Sequence, residues 1–252
     1  MKERKHFAPG ALTAPIPPAM VTVGDFDNAN VLTIAWTGIL ATVPPKTYIS
    51  VRPSRHSYQI LKEKGEFVIN LPSVALAKEV DFVGIYTGKK MDKLEKCHLT
   101  KQRSEKVAPP TIAECPVALE CRVTDVLPMG SHDVFMADIV SVSCQDHIID
   151  ADGKMHFERA DLLAYAHGEY YSLGEIVGRF GFSTDKQKKA EKTKKNTVKT
   201  SEKTVKVEKK AYEKKSPEKK PFYESAPKSK QAKKKPTDKN KGAPHGRKAA
   251  KK

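Results

Sequence analysis

The chain has 252 residues and a formal net charge of +16, to which residues 186–252 contribute +19 and residues 1–185 contribute −3. So much like charge, with little apolar patterning, excludes a packed core from residues 186–252, which are predicted to form a disordered Lys-rich tail. Residues 1–185 are long enough for one folded domain, and no stretch has the ~20 apolar residues of a membrane span.

The first part of the domain alternates short strand-like runs with turns. Residues 1–18 are polar and proline-rich and predict an extended lead-in. Strands are predicted at residues 19–23, 30–36, 47–51 and 66–70. A helix is predicted over residues 55–64, with Ser54 as its N-cap and Gly65 ending it, and a second helix over residues 73–83.

The second part of the domain is richer in β structure. Residues 84–110 predict an irregular surface loop. Two long β-rich runs, 117–127 and 134–144, flank the turn residues 128–133 and predict a hairpin, and a last strand-like run lies at 162–165. Six or seven short strands with two or three helices predict a mainly β fold, an antiparallel barrel with peripheral helices. Neither a GxGxxG fingerprint nor a P-loop occurs, so a nucleotide-type cofactor would be held without Rossmann machinery.

Arg52 and Arg55 lie three residues apart where a predicted strand meets a predicted helix. Guanidinium groups bind phosphate bidentately, and Ser54 and Ser57 add hydroxyls to the free N–H groups of the helix end. Trp36, the only tryptophan, offers a flat aromatic surface. The combination suits a ligand with a phosphate and a flat ring, such as flavin mononucleotide (FMN). The alternatives are solvated arginines, a serine that only caps the helix, and a tryptophan in the core.

Six motifs, taken in order along the chain, resemble those of the flavin reductase-like, or flavoredoxin-like, FMN-binding split-barrel family. They are Thr33-x-Ala35-Trp36-Thr37, Pro44-Pro45, Val51-Arg52-Pro53-x-Arg55-x-Ser57-Tyr58, Gly65-Glu66-Phe67-x-x-Asn70-Leu71-Pro72, Tyr86-Thr87-Gly88-Lys89-Lys90-x-Asp92-Lys93 and Gly130-Ser131-His132. The similarity covers most of residues 8–175 and none of the tail. It implies a six-stranded antiparallel Greek-key split barrel and a homodimer with FMN near the subunit interface.

The resemblance also implies positions for residues around the flavin. Trp36 and Thr37 are expected against the flavin ring, and Thr33 nearer the phosphate or the ribityl chain. Asn70 ends a predicted strand, where its amide is expected to meet the ring or the sugar. A core position for Trp36 and a turn position for Asn70 remain open.

The resemblance implies roles for two further side chains, Lys93 and His132. Lys93 belongs to a basic segment with Lys89 and Lys90 and is expected to contact the phosphate, against the alternative of a solvated loop. His132, at the hairpin tip, is the candidate catalytic residue on the nicotinamide side of the flavin, against the alternative of an inert turn residue. Relatives read Gly-Asp-His at this hairpin, where this chain has Ser131.

The implied activity is that of an NAD(P)H:flavin oxidoreductase with FMN as cofactor and NAD(P)H as co-substrate. One alternative is an electron-transfer protein of the flavoredoxin type, with bound FMN, a redox partner protein and no NAD(P)H turnover. The other is a flavin-free scaffold whose basic tail binds nucleic acid or other polyanions without sequence preference.

The four cysteines predict no metal site and no disulfide framework. Cys97, Cys115, Cys121 and Cys144 form no CxxC pair, and no histidine lies at metal-ligand spacing from them. No apolar signal segment opens the sequence. We therefore expect reduced thiols in a cytoplasmic protein.

Overall fold

The structure is a computed structural model that describes residues 3–184. The chain divides into two units, Met1–Arg179 and Phe180–Lys252, and every helix and strand described lies in the first. The predicted disorder of residues 186–252 concerns residues outside the described part of the chain.

The described residues form eleven strands and three α-helices. The strands are β1 (Ala19–Val23), β2 (Asn30–Ile34), β3 (Thr37–Thr42), β4 (Pro45–Val51), β5 (Glu66–Leu71), β6 (Lys101–Gln102), β7 (Thr111–Ile112), β8 (Val117–Pro128), β9 (Asp133–Cys144), β10 (Leu163–Ala166) and β11 (Glu169–Ser172). The helices are α1 (His56–Lys64), α2 (Ala77–Ile85) and α3 (Lys93–Lys96), with short 3-10 turns at Val74–Leu76, Asp146–Ile148 and Phe157–Arg159.

Seven strands form one antiparallel sheet in the order β2-β1-β5-β8-β9-β4-β3. Its two edge strands, β2 and β3, are consecutive in the chain and joined by only Ala35 and Trp36. The sheet therefore coils until its edges meet at this corner, where the Ser50 N–H donates to the Trp36 carbonyl at 2.9 Å. This arrangement confirms the mainly β split barrel, with seven strands in the sheet where the resemblance implies six. Strand β3 is the one strand of this sheet that the residue pattern does not predict.

The inward-facing side chains of the sheet make the main core. They include Val21, Ile49, Phe67 and Phe135, all fully buried. The outer face of β1 is covered as well. Buried side chains of α2 and α3 pack against Met20 of β1 and form a second hydrophobic cluster with it. Burial on both faces accounts for the unbroken buried run of β1, in contrast to the alternation along β4.

Helix α1 packs against β1 and β2 and buries Leu61 in the main core. Its end is as predicted, since Gly65 adopts the left-handed conformation (φ 66°) that suits glycine. Its start is not: Arg55, not Ser54, is the N-cap, and no side chain caps the helix. The second helix also begins later than predicted, at Ala77, after a 3-10 turn.

The long hairpin of β8 and β9 is confirmed across residues 128–133. Near the C-terminal end of the described residues, β10 pairs with β11 and also holds the lead-in, through two backbone hydrogen bonds between Ile16 and Tyr165. Among the described residues, no helix is both long and apolar enough to cross a membrane, and no cysteine forms a disulfide.

Candidate functional site

A cleft of about 520 Å³ opens where the start of α1, strand β2 and the segment after α2 meet. It is lined by Asn30, Leu32, Trp36, Arg52, Ser54, Arg55, His56, Ser57, Tyr86, Thr87, Gly88 and Lys93. Six of the residues predicted from the sequence are thus brought together: Trp36, Arg52, Ser54, Arg55, Ser57 and Lys93.

The cleft is electropositive and holds no compensating acid. Arg52, Arg55 and Lys93 contribute three cationic side chains, and no Asp or Glu is among the described residues that line it. None of the three makes a salt bridge within the described part of the chain. Cations gathered in a concave site without an acidic partner attract an anion, and guanidinium groups bind the oxygens of phosphate or carboxylate bidentately.

The start of α1 adds to this field. The helix has nine residues, no side-chain cap and no acidic residue in its first turn. Its first backbone N–H groups are therefore not engaged by a capping side chain, and the helix dipole places partial positive charge there. Ser54 and the N-cap Arg55 are exposed at this point.

The carbonyl end of α2 holds two of the three cations in place. Arg55 donates from a guanidinium nitrogen to the Gly84 carbonyl at 2.8 Å. The Lys93 ammonium donates to the carbonyls of Val83 and Tyr86 at 2.9 and 3.1 Å. Lysine and arginine are favourable partners for the carbonyl groups at a helix C-terminus.

Lys93 is only 3 % exposed, and this burial, together with the nearby Arg55 charge, lowers its pKa to about 8. Lys89 and Lys90, the other lysines of the predicted basic segment, are exposed and do not line the cleft. The three lysines therefore do not form one solvated group. Lys93 opens α3, capped by Asp92, and turns inward.

A close approach of two segments shapes the floor of the cleft. The Asn30 amide donates to the Ser57 hydroxyl at 2.6 Å, and both residues are buried. Gly88 lies directly against them, since a Cβ there would come within 2.1 Å of the Asn30 side-chain oxygen. Only glycine fits this position without displacing the Asn30–Ser57 pair.

Trp36 forms one wall of the cleft, and His132 packs against Trp36 without lining the cleft itself. The indole is 49 % exposed, so Trp36 is not a core residue, and its ring centroid lies 5.5 Å from that of His132. His132 also lines a small hollow of about 50 Å³ with Arg52 and Arg55. Its pKa lies below the ordinary value because of partial burial and the charges of those two arginines. The imidazole therefore favours its neutral form.

Four predicted residues do not line the cleft. His132 and Thr33 line the small hollow beside Arg52 and Arg55, and the Thr33 hydroxyl donates to the Val80 carbonyl of α2. Thr37 donates to the Tyr48 carbonyl at 2.6 Å and lines a separate cavity. Asn70 is fully buried, and its amide is satisfied by the carbonyl of Met20 and the N–H of Ile112 at 3.0 and 2.9 Å. The amide of Asn70 ties β1 and β7 to β5 instead of meeting a ligand.

Sequence reasoning did not assign Asn30, His56, Tyr86, Thr87 or Gly88 to the site. Tyr86, Thr87 and Gly88 belong to the fifth of the six motifs, so their position at the site was predictable from the sequence. Asn30 carries no such signal, because an asparagine at the start of a strand after a turn is an ordinary turn residue. Its role depends on the packing of α1 and the Gly88 segment against β2.

The family model of the flavin reductase-like domain matches residues 12–174. The chain belongs to this family. A flavoredoxin of Desulfovibrio vulgaris (Miyazaki F) is 29 % identical, with a TM-score of 0.67 over 72 % of this chain and 99 % of that one. An uncharacterised protein of Archaeoglobus fulgidus is 34 % identical over 54 % of this chain and 77 % of its own length. A flavoredoxin from Methanosarcina acetivorans, 22 % identical with a TM-score of 0.68 over 74 % of this chain and all of that one, shares the fold.

The resemblance inferred from the six motifs is therefore confirmed. The match extends over the barrel and the β10–β11 hairpin of this flavin reductase-like domain and stops before residues 186–252.

Proposed function

We propose that this flavin reductase-like domain binds FMN in the electropositive cleft and acts as an oxidoreductase that passes electrons from NAD(P)H to flavin. The observation that carries the proposal is the set of three cationic side chains, Arg52, Arg55 and Lys93, unaccompanied by any described acidic residue in the lining. They lie beside an uncapped helix start and a half-exposed indole.

The donor set fits the two ends of FMN. Arg52, Arg55, Ser54 and the N–H groups that begin α1 are the donors that a phosphate dianion needs. Trp36 offers its exposed face to a flat ring. Lys93 adds a positive charge to the cleft lining, where hydrogen bonds to carbonyls at the end of α2 hold its ammonium group.

Bound FMN supplies the redox chemistry, and the protein supplies placement and electrostatics. In the proposal Trp36 orients the ring. The neutral His132 imidazole, packed on Trp36, offers a hydrogen-bonding group on the side where the nicotinamide approaches. Partial burial and the charges of Arg52 and Arg55 lower the pKa of that imidazole, which favours the neutral form with one acceptor nitrogen.

An electron-transfer protein with bound FMN and no NAD(P)H turnover is the second form of the same proposal. Solved structures with this fold include flavoredoxins and also a NADH:FAD oxidoreductase of Streptomyces globisporus. In the first form free flavin accepts the electrons, and in the second a redox partner protein does.

We also propose a cytoplasmic homodimer. Strand β3 is an edge of the sheet and leaves Ile39 and Leu40 exposed, and Val43, directly after the strand, is 91 % exposed. An exposed apolar edge strand is a common place for a second copy to pair.

The absorption spectrum of freshly purified protein, with release and identification of the chromophore, tests flavin binding. A stoichiometric FMN spectrum is expected, and a colourless protein that takes up no added FMN would refute both forms of the proposal. Oxidation of NADH and NADPH, followed at 340 nm with added FMN, then separates the two forms. Turnover supports the oxidoreductase, and bound FMN without turnover supports the electron carrier.

A second function is proposed for residues 186–252. These residues carry a net charge of +19 against −3 for the rest of the chain, with a single arginine, Arg247, and few aromatic residues. Sequence-specific RNA recognition uses stacking side chains and guanidinium groups, so we propose binding of nucleic acid through phosphate charge alone.

A further inference from the structure

The tip of the β8–β9 hairpin carries His132, and a contact between distant parts of the chain fixes where that tip lies. Asp133, the first residue of β9, accepts a hydrogen bond from the Tyr58 hydroxyl. Tyr58 belongs to α1, and its ring packs edge-on against Phe135 of the main core, with the ring centroids 5.6 Å apart. The contact therefore ties the hairpin tip to the helix whose start lines the electropositive cleft.

The Asp133 carboxylate is engaged by this contact and does not bond the neighbouring imidazole. Among the described residues, the one group within hydrogen-bond distance of the His132 ring is the Ser131 hydroxyl, whose oxygen lies 2.9 Å from Nδ1. Nε2 has no hydrogen-bond partner in the described part of the chain. The charges that act on the ring are the guanidinium groups of Arg52 and Arg55, which have donors only.

The hydroxyl beside Nδ1 influences which ring nitrogen carries the proton. In a neutral imidazole one nitrogen accepts and the other carries the proton, and the hydrogen bond at one nitrogen sets the state of the other. The Ser131 hydroxyl has no other acceptor among the described residues, so donation to Nδ1 of His132 satisfies it. Nε2 then keeps the proton and is available to donate it in a hydrogen bond.

We propose that Tyr58 and Ser131 are positioning residues that present the Nε2–H of His132 as a hydrogen-bond donor to an acceptor atom of the ligand in the cleft. Tyr58 acts through Asp133 and holds the imidazole against Trp36. Ser131 fixes the tautomer. The hollow that the imidazole lines shares Trp36 and both arginines with the cleft. The inference rests on the proposed function, since flavin and nicotinamide both carry carbonyl oxygens that accept such a bond.

Two-bond proton–nitrogen correlation NMR of the isotope-labelled full-length chain, recorded above the pKa of the ring, tests the tautomer. Nδ1 of His132 is expected to be unprotonated and Nε2 protonated. Ser131→Ala is expected to increase the Nδ1–H share. Ser131→Asp is expected to place the proton on Nδ1 and to raise the pKa of the ring, because a carboxylate accepts and does not donate. Ser141→Ala is the matched control, since its hydroxyl bonds Glu105. A protonated Nδ1 in the wild type, or the wild-type tautomer in both Ser131 variants, would overturn the proposal.

The fluorescence of Trp36, the only tryptophan, tests the part assigned to Tyr58. A protonated imidazole in contact with an indole quenches its emission, so the emission is expected to rise as the pH increases through the pKa of His132. The step is expected to be absent in His132→Gln. Tyr58→Phe keeps the packed ring and is expected to lose most of the step. Tyr170→Phe is the matched control, because it removes a different tyrosine–aspartate hydrogen bond, the one to Asp81. A step of wild-type amplitude in Tyr58→Phe would refute the positioning role of Tyr58.

These two measurements need no flavin, so the inference and the proposed function can fail separately. Addition of FMN is expected to shift the Nε2 signal of His132. It is expected to leave the signals of His156 unchanged, because Asp150 and Glu158 already bond both nitrogens of that ring. FMN binding without a shift at His132 overturns the donor role and leaves the flavin proposal in place. The expected tautomer and fluorescence step in a protein that binds no FMN support the positioning of the imidazole and refute the flavin proposal.

Discussion

The rings of Trp36 and His132 lie 5.5 Å apart, with their planes inclined by 38°. Trp36 is in the two-residue link between β2 and β3, and His132 is at the tip of the β8–β9 hairpin. The contact therefore joins the corner where the barrel closes to the end of its longest hairpin. It also places the imidazole within the field of Arg52 and Arg55.

We predict that the pKa of His132 lies below the ordinary 6.5 and rises when Arg52 and Arg55 are replaced together by alanine. Burial and two positive charges disfavour the imidazolium, so removing the charges restores proton affinity. NMR titration of the imidazole, assigned by comparison with His132→Gln, measures both values. An unchanged pKa in the double variant would show that the arginine charges do not reach the ring.

The same Arg52→Ala/Arg55→Ala protein is expected to lose about 3–6 kcal/mol of FMN binding free energy, since each hydrogen bond to a charged group contributes about 1.5–3 kcal/mol. Equilibrium titration by flavin fluorescence measures it. Arg103→Ala is the matched control, because Arg103 packs on Phe26 and does not line the cleft. Wild-type FMN affinity in the double variant would place the phosphate elsewhere.

The buried ammonium of Lys93 predicts a pH dependence. Its pKa of about 8 means that the positive charge is present below pH 8 and is lost as the pH rises through that value. FMN affinity is therefore expected to fall about tenfold between pH 7 and pH 9, which corresponds to a loss of about 1.4 kcal/mol in binding free energy. The decline is expected to disappear in Lys93→Met and to persist in Lys89→Met, whose lysine is exposed outside the cleft. A decline that persists in Lys93→Met would rule Lys93 out as its source.

Replacement of Gly88 by alanine is expected to disturb the floor of the cleft. The added Cβ would lie 2.1 Å from the Asn30 side-chain oxygen, so the Asn30–Ser57 hydrogen bond must shift. We expect a loss of about 1–3 kcal/mol in unfolding free energy, together with weaker FMN binding. Denaturant unfolding measures the first. Gly174→Ala, with no atom within 4 Å of the added carbon, is expected to match the wild type. If Gly88→Ala keeps wild-type stability and FMN affinity, the close contact of Gly88 with the Asn30–Ser57 pair does not shape the cleft.

Removal of residues 186–252 is expected to abolish retention on immobilised duplex DNA. The log of the full-length chain's affinity should fall linearly with the log of salt concentration, with a slope of about −0.9 per phosphate contacted. Circular dichroism checks that the truncated barrel stays folded. Retention that survives the truncation would assign nucleic-acid binding to the barrel and refute the tail proposal.

Local chemistry accounts for the parts of the fold that the sequence predicted. Alternating runs, turn residues and Gly65 identified most strands, the long hairpin and the end of α1. The sequence pattern does not predict strand β3, because its exposed side chains Ile39 and Leu40 interrupt the alternation expected of a half-buried strand. Serine is a common N-cap, so the sequence predicts Ser54 in this role, but the helix starts one residue later and uses no side-chain cap.

Some residues of the candidate site were predictable from the sequence and others depend on tertiary packing. Arg52, Arg55, Ser54 and Ser57 follow one another in the chain, so their proximity was predictable. The burial of Lys93 was not, because its partners are carbonyls at the end of α2, and the exposure of a lysine depends on what packs around it. The inward position of Asn70 likewise depends on β1 and β7.

The sequence by itself determined the separation of charge between domain and tail, the β-rich pattern and the basic segment that begins α1, because each is a property of neighbouring residues. Tertiary structure alone decided that Trp36 meets His132, that Lys93 is held by α2 and that Gly88 approaches Asn30. Trp36 and His132, like Asn30 and Gly88, lie far apart in the chain and meet only in the folded barrel. Lys93 is only 7 and 10 residues from its carbonyl partners, but its burial depends on α2 and α3 packing together over β1.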